Sequence, residues 1–517
     1  MNKLNFVICS LPRMSMMYPP GAPALLKSII QRENFSCKAV DFVADWYQSF
    51  KDHPSWTDID GWNAIMNFKL SENLEMLIDQ KISQWAKQLI DSQAEWIGLS
   101  IFSYESHKIG QLLAEKIKSL NHSQKIFMGG SGITNISEKY PEKLLEQGII
   151  DAYITGEGEK PIIELAKGNL NYPGINNKNY VQLSKEFLDQ QPNPDFSDYN
   201  LSLYGKENLG VYSDLNQYNN LNQDVHTLPI TGSRGCVRKC TYCDVPLLWP
   251  QFTHRGGDLV ANEIIEHNKK NGTRKFHFTD SLVNGSMKEF RKMIDILAKY
   301  NQDTNANITW TGQFIFRPQG QHTQEDWKLI GQSGGSVLEV GIESGSETIR
   351  YQMGKKFSND DVEYEFANCQ RNRVAVFFNV IVGYPTETDQ HFEESKDFLT
   401  RFHPYAYDQT ILDVELGGTL RIQPNTPLYH MMNQMCIEMI PIEHGPPEDL
   451  LWWSKNNPTL TLSKRILRRF ELGKHAKDLR YRIPADFKDL RYLWSKWNQL
   501  KDIEKKWLHE RKNKITS

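Results

Sequence analysis

The chain has 517 residues, 39% of them apolar and 24% charged, with a net charge of −3. That length allows about two to four domains. The near-neutral balance argues against a chain built as a whole for nucleic acid. No apolar run approaches the ~18–20 residues that span a membrane. Seven cysteines, three of them clustered, do not make a secreted disulfide framework. Met1 to Pro12 runs into a strand-like pattern without a signal-peptide layout. A cytoplasmic protein is expected.

The first part of the chain alternates short apolar runs with helical patterns, the signature of a parallel α/β unit. Strands are predicted at Asn5–Cys9, Lys38–Phe42, Trp96–Phe102, Lys125–Met128 and Asp151–Thr155. A helix follows Pro20-Gly21. Another places Ile109, Leu112, Leu113 and Ile117 on one face. The fourth strand ends at Gly129-Gly130, and the fifth at Gly156-Glu157-Gly158. Ligands of open α/β sheets bind beyond such strand ends. The expected division is a Rossmann-like domain over residues 1–168, with a helical insert at about 46–95. Residues 169–227, rich in Asn, Tyr, Pro and Asp, read as a linker or wrapped connection.

The alternation resumes at 228. Strands are expected at Leu228–Thr231, Lys275–Thr279, within Asn307–Phe316, at Ser336–Ile342 and at Ala375–Val382. Repeated βα units over 228–440 predict a full or partial barrel with its site at the carboxyl ends of the strands. The remainder, 441–517, reads as helical and basic, with Trp494, Trp497 and Trp507 interleaved. Tryptophans at helical spacing favour docking on the barrel. A contact surface for an acidic partner or nucleic acid is the alternative.

The chemistry concentrates in Arg234-Gly235-Cys236-Val237-Arg238-Lys239-Cys240-Thr241-Tyr242-Cys243. Three thiolates can hold a metal centre and leave one coordination position open. A closed zinc site takes four ligands, and beyond His254 no fourth candidate is near. Cys240 and Cys243 alone have the spacing of a redox dithiol. Neither reading explains the third cysteine. Arg234, Arg238 and Lys239 are expected to favour thiolates and a negatively charged iron–sulfur cluster. Catalytic residues beyond this loop are not assignable.

Cys236-x3-Cys240-x-Tyr242-Cys243 resembles the signature of radical S-adenosylmethionine (radical SAM) enzymes. The run Thr231-Gly-Ser-Arg-Gly-Cys236 is similar to the approach to that loop in the branch carrying a cobalamin-binding domain. Three further segments match in order: Phe278-Thr279-Asp280-Ser281, Gly341-Ile342-Glu343-Ser344-Gly345, and Val382-Gly383-Tyr384-Pro385. The resemblance implies a 4Fe-4S cluster on Cys236, Cys240 and Cys243, with S-adenosylmethionine bound at its open iron. Tyr242, Thr279 and Gly383 would line the cofactor. Asp280 would accept from its amino group, Glu343 and Ser344 would contact ribose, and Arg317 would pair with its carboxylate. Glu387 is expected to cap the following helix instead.

Pro20, Gly21, Gly129, Gly130, Gly156, Glu157 and Gly158 look like the cobalamin-binding domain of the same branch. The histidine motif that supplies a lower axial ligand is absent from Ser10 to Gly21. His107 is expected to be a surface helix residue. The resemblance implies an enzyme that cleaves S-adenosylmethionine to a 5′-deoxyadenosyl radical and transfers a methyl group from cobalamin to an unactivated carbon. Alternatives are another radical SAM rearrangement or ring formation, and a non-catalytic iron–sulfur or cobalamin-binding regulator. The expected partners are an organic substrate and a low-potential electron donor such as flavodoxin or ferredoxin. Nucleic acid is not expected.

Overall fold

The computed structural model describes residues 4–12, 14, 16–51, 72–134, 139–180, 182–205, 226–442, 449–482 and 490–516. Much of the expected helical insert, and the later part of the expected connection, lie outside these residues. Two compact units are present, Met1–Leu209 with Asn222–Pro229, and Gly210–Leu221 with Ile230–Ser517.

The first unit is built on strands β1 (Phe6–Ser10), β2 (Cys37–Asp41), β3 (Trp96–Ser100), β4 (Lys125–Gly129) and β5 (Ala152–Ile154). Their order is β2-β1-β3-β4-β5, all parallel. Parallel sheets are buried on both faces. Alternate residues of β1 accordingly enter opposite cores. Val7 and Cys9 pack with Ile97, Leu99 and Trp85, while Phe6 and Ile8 pack with Ile29, Phe127 and Ile154. The strand order reverses at β1 and β3, the place where ligands of such sheets bind.

Residues 169–205 are packed onto this unit. Thr155 N donates to Gly174 O (2.9 Å). Buried Lys27 pairs with Asp195 (2.8 Å) and Asp198 (2.7 Å).

The second sheet holds β6 (Thr227–Ile230), β9 (Lys275–Phe278), β10 (Thr309–Phe314), β11 (Gly335–Glu343), β12 (Ala375–Val382) and β13 (Ile411–Thr419), in the order β13-β12-β11-β10-β9-β6. The pairs from β9 to β13 are parallel. This is the fold expected of a partial βα barrel. Side chains alternate along β10: Trp310 and Phe314 are buried, whereas Thr311 is half-buried and Gln313 exposed. Between β6 and β9 lies a short antiparallel ribbon, β7 (Ser233–Arg234) with β8 (Thr253–His254).

The final part begins with a hairpin of β14 (Ile437–Met439) and β15 (Trp452–Ser454) before its helices. The helices Leu462–Asp478 and Leu490–Thr516 follow. Trp497 is buried with Ile440, Leu450 and Ile466, and Trp507 packs against the same cluster. The tryptophans therefore dock within their own unit. The side chain of Trp494 is outside the described residues. Among the described residues no helix is long and apolar enough to cross a membrane.

Candidate functional site

The cysteine loop is fixed at both ends. At its start, Asp280 Oδ1 accepts from Gly232 N (2.8 Å) and Oδ2 from the Ser233 hydroxyl (2.7 Å). Gly235 has φ +78°, and a Cβ there would stand 2.8 Å from Gln251 O, so glycine is required before Cys236. Asp280 was expected to face the cofactor's amino group. It is 4% exposed and braces the loop with both oxygens instead. Burial pushes its carboxyl up to about 7, against these hydrogen bonds.

The second half of the loop is held by backbone contacts. Thr241 N donates to Met353 O (3.0 Å), and Leu428 N to Thr241 O (2.7 Å). The hydroxyls of Thr241 and Tyr384 are 3.1 Å apart. Gly354, at φ +91°, lies so close that an added Cβ would be 3.3 Å from Cys240 Cα.

Cys240 is buried, and Cys236 and Cys243 are partly exposed. Burial raises the Cys240 thiol, with Lys355 the largest opposing influence. Burial also pushes Cys243 up to about 11. At these two positions burial is the largest influence on the free thiol, and Arg234, Arg238 and Lys239 are not among the main influences opposing it. Negative charge on Glu343 and Cys236 raises Cys240 further, and that on Cys240 and Cys236 raises Cys243. An iron–sulfur cluster would take one thiolate on each of three irons and supply the positive charge that releases their protons. The donor set and its mutual proximity fit such a group. Among the described residues no three His, Cys, Asp or Glu side chains are arranged around one metal ion.

Next to Cys240 lies an ion pair that sequence reading missed. Lys355 Nζ is 3.2 Å from Glu343 Oε1, and the two side chains are 9% and 10% exposed. Glu343 sits at φ +70°, where β11 and β12 slip register between Gly341 and Glu343. A non-glycine residue in that region is strained and points to function. Burial raises the Tyr242 phenol, and the negative charge of Glu343 raises it further. Cys240, Tyr242, Glu343 and Lys355 thus form one electrostatic group. The only sequence signal for Lys355 was the glycine before it.

The remaining expected residues divide. Thr279 is exposed at its strand end, with its hydroxyl 2.8 Å from that of Thr231. Ser344 is not available to ribose. It is 1% exposed, its hydroxyl accepts from Ser346 N (3.2 Å), and its carbonyl accepts from Arg350 Nε (3.0 Å). The Arg317 Nη2 donates to Asn284 O (2.7 Å).

Gly383 meets the Arg465 side chain, which would lie 2.6 Å from an added Cβ. Glu387 does not cap the following helix. That role falls to Thr388, whose hydroxyl accepts from His391 N, while Glu387 pairs with Arg468 at 2.6 Å. Arginines of the basic tail therefore serve the strand ends. Arg465 donates to Leu420 O, Leu450 O and Trp452 O.

In the first unit, Pro20 precedes the helix Gly21–Arg32 at its N-terminus. An added Cβ at Gly129 or Gly158 would meet nothing closer than 3.5 Å or 3.9 Å, leaving room at these two strand ends. Gly130 packs on Ile101 O and Gly156 under the Tyr180 ring. The Glu157 carboxylate accepts from Leu183 N. Of these positions Gly129 and Gly158 have the more open backbone. His107, expected at the surface, is 3% exposed and meets the Tyr140 ring edge-on, because its helix packs that face inward.

Residues 230–399 match the Radical SAM superfamily. Cytidylyl-2-hydroxyethylphosphonate methyltransferase of Streptomyces wedmorensis is 21% identical over 384 residues, covering 67% of this chain and 64% of that protein. A tRNA-2-methylthio-N(6)-dimethylallyladenosine synthase of Buchnera aphidicola is 20% identical, covering 41% of this chain and 48% of that protein. The chain thus spans less than two thirds of the length of these curated relatives. Among solved structures, the radical S-adenosylmethionine methyltransferase TsrM from Kitasatospora setae, with cobalamin and a 4Fe-4S cluster bound, aligns with a TM-score of 0.59 at 14% identity. The alignment covers 90% of this chain and 84% of that one. The cobalamin-dependent enzyme OxsB aligns with a TM-score of 0.58 at 15% identity, covering 84% and 61%. At these identities the structural likeness is one of fold.

Proposed function

We propose that the chain is a cobalamin-dependent radical SAM methyltransferase acting on an unactivated carbon of an organic substrate. The observation that carries this reading is the joining of Cys240 to the Glu343–Lys355 pair through Thr241, Met353 and Gly354. Three cysteines would hold a 4Fe-4S cluster with one iron open. Beside them, a carboxylate and an ammonium suit the two charged ends of an amino acid. In this reading Lys355 holds the carboxylate of S-adenosylmethionine, and Glu343 and Tyr242 orient its polar groups. Thr279 offers a further hydroxyl at the exposed end of β9. Asp280 acts by holding the loop in shape.

When bound, these groups supply one-electron cleavage to a 5′-deoxyadenosyl radical and, from cobalamin, a methyl group. The protein's part is binding, orientation and exclusion of water. Gly129 and Gly158 are the places where the corrin would approach the first unit, without an axial histidine from Ser10 to Gly21. The electron would come from a low-potential donor such as flavodoxin or ferredoxin, in the cytoplasm.

A methylthiotransferase would need a second set of cluster thiols. The first unit offers Cys9 and Cys37, and both are buried in its core with thiols raised by desolvation. A rearrangement or ring formation by the same radical is the second reading, favoured by the Tyr180 ring over Gly156 at a predicted cobalamin contact. Anaerobic reconstitution with iron and sulfide, followed by low-potential reductant and S-adenosylmethionine, tests the radical reading. Absence of cleavage would sink it. Visible absorbance after incubation with hydroxocobalamin and desalting tests the first unit separately.

A further inference from the structure

Arg317 stands at the end of β10, on a brace that the preceding reading does not use. Its backbone N donates to Glu365 Oε1 (3.1 Å). The same oxygen is 2.7 Å from His322 Nδ1, and Trp327 Nε1 donates to Glu365 Oε2 (2.8 Å). His322 Nε2 lies 3.1 Å from Asn284 Nδ2, which also donates to Ile315 O, while Ile315 N donates to Asn284 Oδ1. The amide nitrogen is a donor, so His322 Nε2 accepts and Nδ1–H donates to Glu365. Asn284, His322 and Glu365 are each fully buried. A buried carboxylate with three donors is costly to assemble and easily damaged by loss of one partner.

The brace holds a guanidinium with no carboxylate of its own. Arg317 Nη2 is spent on Asn284 O, and its Nε is buried without a hydrogen-bond partner. Arg291 near by is already paired with Asp326 at 2.7 Å. Arg238, in the cysteine loop, lies within electrostatic reach of Arg317 and shows no ion pair among the described residues. The two guanidinium groups repel each other, Glu365 and Cys236 offset part of that repulsion at Arg317, and an anion between the arginines would offset more. A guanidinium fork matches carboxylate and phosphate oxygens.

With Lys355 assigned to the carboxylate of S-adenosylmethionine, Arg317 and Arg238 remain for a second reactant. We infer that Arg317, assisted by Arg238 and held by the Asn284–His322–Glu365 brace, binds an anionic group of the substrate, a carboxylate or a phosphate. This rests on the radical SAM reading, because it takes the cofactor's own carboxylate as already placed.

The test uses the full chain with its cluster reconstituted under anaerobic conditions. Equilibrium dialysis measures inorganic phosphate and, separately, acetate, with and without saturating S-adenosylmethionine. Saturable binding of at least one anion in the presence of S-adenosylmethionine is expected, and the stronger anion identifies the source. Arg317→Gln should weaken it at least tenfold and Arg238→Gln severalfold, with cofactor affinity changed less than twofold. Glu365→Gln should weaken anion binding while iron content and circular dichroism stay unchanged.

Failure of both anions to bind overturns the inference, as does unaltered binding in Arg317→Gln. Competition between the anion and S-adenosylmethionine, with cofactor affinity falling tenfold in Arg317→Gln, assigns Arg317 to the cofactor and also overturns it. Wild-type protein that binds the anion but not S-adenosylmethionine would sink the radical reading while leaving the anion site standing.

Discussion

Glu343 and Lys355 face each other at 3.2 Å, both largely buried, across the small residue Gly341. A Cβ on Gly341 would stand 2.2 Å from Glu343 Oε1 and 2.7 Å from Lys355 Nζ. Breaking a buried pair by removing one partner costs about 3–5 kcal/mol, because the other charge is left uncompensated. Lys355→Met should lower stability by that order and weaken S-adenosylmethionine binding. The double variant Glu343→Gln with Lys355→Met should recover part of the stability but not the binding. Gly341→Ala should behave like a weaker Lys355→Met. Chemical denaturation and calorimetric titration separate the two effects.

The arginines of the helix Leu462–Asp478 give a second prediction. Arg465 is fully buried, lies over the Trp452 ring at 3.9 Å, and serves three carbonyls. Arg465→Ala should take one donor from each of those carbonyls, although Leu420 O keeps Trp452 Nε1 and Leu450 O keeps Trp452 N, at about 1–3 kcal/mol for any buried group left unpaired. Arg468→Ala should strand Glu387, whose carboxyl burial already raises. Both variants should show a lower denaturation midpoint. Lys506→Ala, at an exposed residue of the last helix, should be near neutral.

His277 supplies a pH dependence. Burial pushes its imidazole down to about 4, and Nδ1 lies 2.8 Å from the Thr311 hydroxyl. Between about pH 6.5 and pH 4 the unfolded chain takes up a proton that the folded chain refuses. Stability contributed by the neutral ring is therefore full above pH 6.5 and lost as pH falls through that window, at most ~1.4 kcal/mol per unit. His277→Gln should flatten the slope of the denaturation midpoint between pH 7 and pH 5. An unchanged slope would contradict the assignment.

Much of the architecture was legible because apolar runs such as Phe6–Ser10 and Ala375–Val382 alternate with helical patterns, which suits strands buried on both faces of a parallel sheet. β13 was not named because Asp413, Glu415 and the Gly417-Gly418 pair interrupt its pattern, and its pairing with β12 is non-local. The cysteine loop was legible from spacing alone. Its supports were not. Asp280 looked like a ligand because it follows a strand, but its partners Gly232 and Ser233 are far away in sequence. Lys355 sits in a Lys-Lys pair that reads as solvated surface. The His322–Glu365 contact joins residues on different βα units, and no local pattern announces it. Ser344 and Glu387 carried the right chemistry at strand ends, and tertiary contacts used it elsewhere.

The central claim is that Cys236, Cys240 and Cys243 hold a cluster with one position open to S-adenosylmethionine. Electron paramagnetic resonance of the reduced, reconstituted protein tests it most directly. The account predicts a reduced-cluster spectrum that changes on adding S-adenosylmethionine and is lost in Cys240→Ala. A spectrum indifferent to S-adenosylmethionine, or one retained in full by Cys240→Ala, would contradict it.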